Sequence, residues 1–87
     1  MQASYGPAKE HLLAAIKAQP NALEYYYTLR SVCNEDNDTG GAAQALQSAL
    51  DRGLAPAKTG AELALLCERL NRLEEAEQYA TDALALD

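Results

Sequence analysis

The sequence predicts an all-α chain of helical hairpins joined in series, and three observations predict it. Residues recur at a fixed offset of 34: Cys33 returns as Cys67, and the same step carries Leu29 to Leu63, Asn37 to Asn71, Ala42 to Ala76, Ala49 to Ala83 and Leu50 to Leu84. Stepping back, Ala42, Leu46, Ala49 and Leu50 land on Ala8, Leu12, Ala15 and Ile16. Apolar residues fall at helical spacing, and no segment sustains the period-two alternation of a strand. Turn-forming residues separate the periodic stretches. A fixed period of this length marks a solenoid, in which each unit buries its apolar face only against its neighbours. Solenoids present extended surfaces, so binding is the expected activity.

Five helical segments are predicted. The first covers 7–18. Pro7 suits the first helical turn because its missing N–H has no intrahelical partner there, and Pro20 stops the helix. Ala8, Leu12, Ala15 and Ile16 share one face. The second starts at Asn21, where Asn21 and Glu24 read as a capping box. Its stripe is Ala22, Tyr25, Tyr26, Leu29, Val32 and Cys33, and it ends in the turn-rich stretch 34–41. The third covers 41–52, with Ala42, Leu46, Ala49 and Leu50 inward and Gly53 as the left-handed closing residue. The fourth covers 57–70, with Leu63, Leu66, Cys67 and Leu70 inward. Thr59 with Glu62 offers an alternative, later start. The fifth covers 73–86, with Ala76, Ala80, Ala83 and Leu84 toward the core. Asn37 and Asn71 close equivalent helices. Asn tolerates the left-handed region better than other residues with a side chain, so one shared turn is expected at both. Ala42, Ala49, Ala76 and Ala83 fall where helices must approach closely, and a larger side chain there would push the pair apart.

Composition narrows the function. The chain has 87 residues, one small domain, with 13 acids against 7 bases and a net charge of −6. That charge disfavours nucleic acid and anionic membrane surfaces and leaves basic or apolar peptide segments as partners. No stretch is apolar for long enough to span a membrane, and no signal-peptide pattern opens the chain, so the cytoplasm is the expected compartment. Cys33 and Cys67 occupy equivalent positions on separate helices and read as small buried apolar residues. The single histidine, His11, lies in a different unit from the cysteines, so no metal is expected. No nucleophile has a positioned base, and Gly40-Gly41 lacks the Lys and the strand of a phosphate loop. No catalytic residue and no cofactor are expected.

The 34-residue helix–turn–helix unit resembles the tetratricopeptide repeat. The resemblance rests on Ala8, Leu12, Ala15 and Pro20 in the first unit, on Tyr26, Leu29, Ala42, Leu46 and Ala49 in the middle one, and on the run from Leu73 to Asp87 in the last. It implies a single domain over 1–87: a half repeat at 7–20, a full repeat at 21–54 and a last repeat at 55–87. It also implies a right-handed superhelical stack. The chain departs from the family pattern at Arg30, where Gly or Ala is usual, at Gly60, where an aromatic is usual, and at Cys33 and Cys67, where Tyr is usual. With two and a half repeats open at both ends, three expectations stand together: a piece of a longer array, a homo-oligomer joined through its ends, or a monomer that tolerates open ends.

In the family the first helices of each repeat line a concave groove that receives peptides. The resemblance therefore implies a protein or peptide partner held by Glu24, Tyr27, Ser31, Asn34, Lys58, Glu62, Leu65, Glu68 and Arg69. Tyr27 and Leu65 stand out, because each lies off the stripe that buries its own helix. Tyr27 reads either as an amphipathic anchor or as a residue packed on a missing helix; Leu65 reads either as an anchor or as a scattered surface residue. The Lys and Asn pair with which one branch of the family grips a chaperone C-terminus has no counterpart at Tyr27, Ser31, Ala61 and Leu65. Glu24, Glu35, Glu62 and Glu68 favour a basic or apolar segment instead.

Overall fold

The computed structural model describes residues 5–86, and among them five α-helices and no strand: α1 Tyr5–Ala18, α2 Leu23–Glu35, α3 Thr39–Asp51, α4 Pro56–Arg69 and α5 Leu73–Leu86. The helix count and the bounds of α5 match the periodicity. The starts of the others differ, for local reasons.

Helix α1 is described from Tyr5, ahead of the predicted Pro7, which is the third of its described residues. Helix α2 begins at Leu23, with Ala22 at its cap and no side-chain cap bond. The expected Asn21 capping box is not formed. Asn21 lies in the turn that follows Pro20, and Tyr26 in the first turns of α2 donates its hydroxyl to the Pro20 carbonyl at 2.6 Å. That bond spans the entry turn instead. Helix α3 starts at Thr39, ahead of the predicted Gly41, because Asp38 caps it: its Oδ1 accepts from the Gly41 amide at 2.9 Å. Helix α4 starts at Pro56, its first residue, after Ala55 turns the chain in the left-handed region at φ 43°. The later start at Thr59 is not used. Thr59 is buried and donates its hydroxyl to the Leu54 carbonyl at 2.8 Å.

Three helices end in the same bonded turn. Asn37, Gly53 and Asn71 take positive φ of 56°, 72° and 61°. The Asp38 amide then reaches back to the Cys33 carbonyl (2.7 Å), that of Leu54 to Ala49 (3.1 Å) and that of Arg72 to Cys67 (2.8 Å). The left-handed residues themselves donate to Asn34, Leu50 and Glu68 at 3.1, 2.8 and 3.0 Å. These are the paired six-to-one and five-to-two bonds of a Schellman closure. The α2 and α4 closures repeat each other atom for atom at the 34-residue offset, so the repeat extends to backbone hydrogen bonding.

Each helix packs on its neighbours in the chain, in the order α1–α2–α3–α4–α5. Side chains also reach between alternate helices. Tyr27 meets Thr59 and Arg30 pairs with Glu62 from α2 to α4, and Tyr79 bonds Gln47 from α5 to α3; every one of these pairs is separated by 32 residues. Alternate helices thus form two rows, α2 and α4 in one, α1, α3 and α5 in the other. The Cα envelope measures 40 × 28 × 14 Å, and its short dimension is that of two helix layers, roughly 13–15 Å. The arrangement is consistent with a helical repeat. Between the rows lies one core of Leu29, Cys33, Leu46, Leu63, Leu66 and Cys67, with alanines at the close approaches. Ala42 and Ala49 are fully buried, and Ala76 and Ala83 nearly so.

Gly60 explains a departure from the family pattern. A Cβ placed there would lie 3.5 Å from Ala83 Cβ and 3.6 Å from the Tyr79 carbonyl oxygen. The backbone of α5 passes close over this point, and an aromatic ring has no room. Leu84 corrects an expectation. Its counterpart Leu50 is half-buried, whereas Leu84 is 77% exposed. Among the described residues α5 has α4 on one side only, so the outer part of its stripe meets solvent.

Candidate protein-interaction surfaces

The residues expected to hold a partner sit on the row of α2 and α4. Glu24, Ser31, Asn34, Lys58, Glu68 and Arg69 are exposed, and Leu65 is 61% exposed. Glu62 is half-buried because it pairs with Arg30 across the row. The Arg30 position, which the sequence marked as a departure, therefore ties the first helices of successive repeats together.

Tyr27 departs from the exposed reading. It is half-buried and packs against the core. Its hydroxyl lies 3.2 Å from Thr59 Oγ1. Thr59 commits its one proton to the Leu54 carbonyl, so Tyr27 is the donor and a relay runs from phenol to hydroxyl to carbonyl. Arg30 and Lys58 both stand 5.1 Å from the centroid of its ring. Each such cation contributes about 0.5–1 kcal/mol at an exposed site. Of the expected contact residues, the structure brings together Tyr27, Lys58 and Glu62, through Arg30. Tyr27 therefore positions that face and holds α2 to α4. Leu65 remains the large apolar side chain presented outward from α4.

The opposite row carries features that periodicity alone did not reveal. A groove of about 880 Å³ runs between α1 and α3, with Leu13 and Ile16 on one wall, Ala45 on the other and Leu29 and Cys33 of α2 at its floor. Lys9 and Asp38 mark one end. There the Lys9 ammonium sits 2.9 Å from Asp36 and 3.1 Å from Asp38. Those two hydrogen bonds push the Lys9 pKa up. The Gly41 amide, and then Lys9, hold the Asp38 carboxyl below its ordinary value.

A second groove lies one repeat further on, between α3 and α5, with a volume of about 370 Å³. Its lining repeats the first at the 34-residue offset: Leu63 and Cys67 replace Leu29 and Cys33, Ala43 and Gln47 replace Lys9 and Leu13, and Arg72 and Glu75 replace Asp38 and Gly41. The two differ where Tyr79 reaches across from α5 to the Gln47 side chain on α3. Tyr79 is half-buried there, and burial raises its phenol pKa. At the corresponding places in the first groove stand Ala45 and Leu13, which cannot bridge. Comparing positions 45 and 79 is the signal that would have found this groove.

Cys33 and Cys67 are free and buried, and desolvation raises both thiols. That is opposite to the direction a nucleophilic thiolate needs. Among the described residues no helix is long and apolar enough to cross a membrane. No protein-family model, curated protein or solved structure matches the chain.

Proposed function

We propose that this chain is a tetratricopeptide-like interaction module that holds a segment of a partner protein along the row of α2 and α4. The observation that carries the reading is the side-chain bracing of that row. Arg30–Glu62, Tyr27–Thr59 and the Lys58 contact with the Tyr27 ring fix α2 against α4, while Leu65 projects from it. A braced surface loses little freedom on binding, so a few anchors suffice. Right-handed superhelical stacking belongs to the same reading. Glu24, Glu35 and Glu68 on this row favour a partner segment that mixes basic and apolar residues. The module acts by binding and needs no cofactor. The free thiols suit a reducing compartment, and a cytoplasmic setting is part of the proposal.

Selection of a displayed random-peptide library against the whole chain tests this. Peptides mixing basic and apolar residues should be enriched. Leu65→Asp and Lys58→Glu should each weaken them at least tenfold, with helical content unchanged by circular dichroism. Tyr27 is left intact because it braces the row. Peptides that bind both variants as well as the parent, or no enrichment at all, would remove this row as the binding surface.

A further inference from the structure

We infer that α1 is a releasable strap, hinged at the Pro20 turn and latched by Lys9, which swings off α2 while the other four helices stay folded and so uncovers Cys33. Its seat is shallow. None of its described side chains is buried. Leu12 and Ile16 rest half-buried on the core, and among the described residues α2 is the one helix that α1 packs against. Helix α5 also packs on a single helix, yet it buries Ala76 and Ala83 and is tied to α3 by the Tyr79–Gln47 bond. Elements with few buried apolar contacts are the ones that open on their own, below the free energy of global unfolding.

Two polar attachments hold the strap. After its last residue, the Tyr26 hydroxyl donates to the Pro20 carbonyl at 2.6 Å and keeps the turn on α2. Toward its other end, the Lys9 ammonium reaches Asp36 at 2.9 Å and Asp38 at 3.1 Å, in the turn between α2 and α3. Among the described residues these are the only side-chain hydrogen bonds from α1 to another element. Lys9 and Pro20 lie roughly 16 Å apart at 1.5 Å per helical residue. Breaking the outer attachment therefore frees a lever pivoted at the inner one. Asp38 accepts from Lys9 through Oδ2 and caps α3 through Oδ1, so release leaves the cap bond in place. Behind the strap, at the floor of the gap to α3, lie Leu29 and Cys33. Cys67 holds the equivalent place one repeat later beneath α3, which packs on both α2 and α4. Release of α1 thus uncovers one thiol and leaves the other buried, whereas global unfolding exposes both.

The test is labelling of the whole chain by N-ethylmaleimide, a neutral thiol reagent, read at each cysteine by mass spectrometry. Each rate is divided by that of the same cysteine in the urea-unfolded chain. Where rates are proportional to reagent concentration, they report the population of the open form. Cys33 should label about tenfold faster than Cys67 or more, and its rate should rise less steeply with urea, because strap release exposes less surface than global unfolding. Lys9→Met should speed Cys33 about threefold at low salt, as befits partly exposed ion pairs, and Lys9→Arg should restore the parent rate. In about 1 M salt, where charges are screened beyond about 3 Å, the parent and Lys9→Met should label alike. Ala76→Leu loosens packing that the closed and released forms share, so it should speed Cys67 and leave Cys33 unchanged. Should that variant fail to fold, the urea slopes of the parent decide. Equal rates with equal urea slopes, or Ala76→Leu speeding both thiols alike, would show that Cys33 opens only with the whole chain and would overturn the strap. A Cys33 rate untouched by Lys9→Met would overturn the latch.

Discussion

Replacing Gly60 by alanine should stabilise this protein, although the site is buried and sits between two helices. Two terms set the sign. A glycine inside a helix is about 0.8–1.0 kcal/mol less favourable than alanine, largely through the freedom it retains in the unfolded chain. Gly60 is the fifth residue of α4 and bears that full cost. The added methyl would meet Ala83 Cβ at 3.5 Å and the Tyr79 carbonyl oxygen at 3.6 Å, ordinary van der Waals distances that require no shift. Burying it contributes up to about 0.8 kcal/mol more. The expected gain is therefore about 1–1.5 kcal/mol. In a domain of this size that corresponds to a rise in Tm of about 4–8 °C per kcal/mol.

The assay is thermal and urea unfolding followed by circular dichroism, and it needs two companions. Gly60→Phe should do the opposite and lose about 1–3 kcal/mol. Its ring would have to displace the α5 backbone, which cannot swing aside as a side chain can. Gly41→Ala is the contrasting case, in which a clash opposes the same gain in propensity. There the new methyl would run into the Asp38 carboxylate that caps α3. Disturbing that cap costs about 0.5–2 kcal/mol and cancels the propensity gain. If both alanine variants rise equally, the change acts through the unfolded chain alone and the close α4–α5 approach has been misplaced. A fall in Tm for Gly60→Ala would refute the geometry outright.

Two further outcomes test the packing and the electrostatics. Ala76→Leu should lower stability by about 1–3 kcal/mol, because the alanine is buried where α5 meets its neighbour; a Tm within a degree or two of the parent would show that the helices are not closely apposed there. Asp38→Asn keeps a side-chain cap for α3 and removes the charge. The folded-state pKa of Asp38 is depressed, first by the Gly41 amide and then by Lys9. Its contribution is therefore present above the unfolded carboxyl value, about 3.9, and is lost as pH falls from there through the folded value. The variant should melt below the parent at pH 7 and converge with it near pH 2; an equal gap at both pH values would show that the charge contributes nothing.

The helix-closing turns were legible in the sequence because their cause is local. A left-handed residue is needed wherever a Schellman turn ends a helix, and Asn37, Gly53 and Asn71 are residues that accept it. Alanines at the 34-residue offset were legible for a similar reason, since close packing excludes larger side chains. What failed involved a third helix. Tyr27 lies off the stripe of α2 and was open to reading as a surface anchor, yet a helix in a row touches the next helix of that row as well as its hairpin partner, and Tyr27 lands on Thr59 of α4. Tyr79 spans from α5 to Gln47 for the same reason. Asn21 is a separate case: its local sequence suggests a cap, and a side-chain bond six residues long, from Tyr26 to the Pro20 carbonyl, spans that turn instead. Leu84 obeys the periodicity, yet among the described residues no further helix covers it.

On the proposed binding role, these differences are where specificity would reside. Positions that obey the 34-residue period build the two rows and would do so for any partner. On that role, specificity would come from positions that break it. Arg30 breaks the expected small-residue pattern and joins Glu62. Gly60 breaks the aromatic pattern and lets α5 settle close to α4. The two grooves of the opposite row differ in the same way, with Ala45 and Leu13 standing where Tyr79 and Gln47 are joined one repeat later. A fold that repeats its backbone bonds can thus present two unlike grooves on the α1–α3–α5 row, because the side chains that line them differ between successive units.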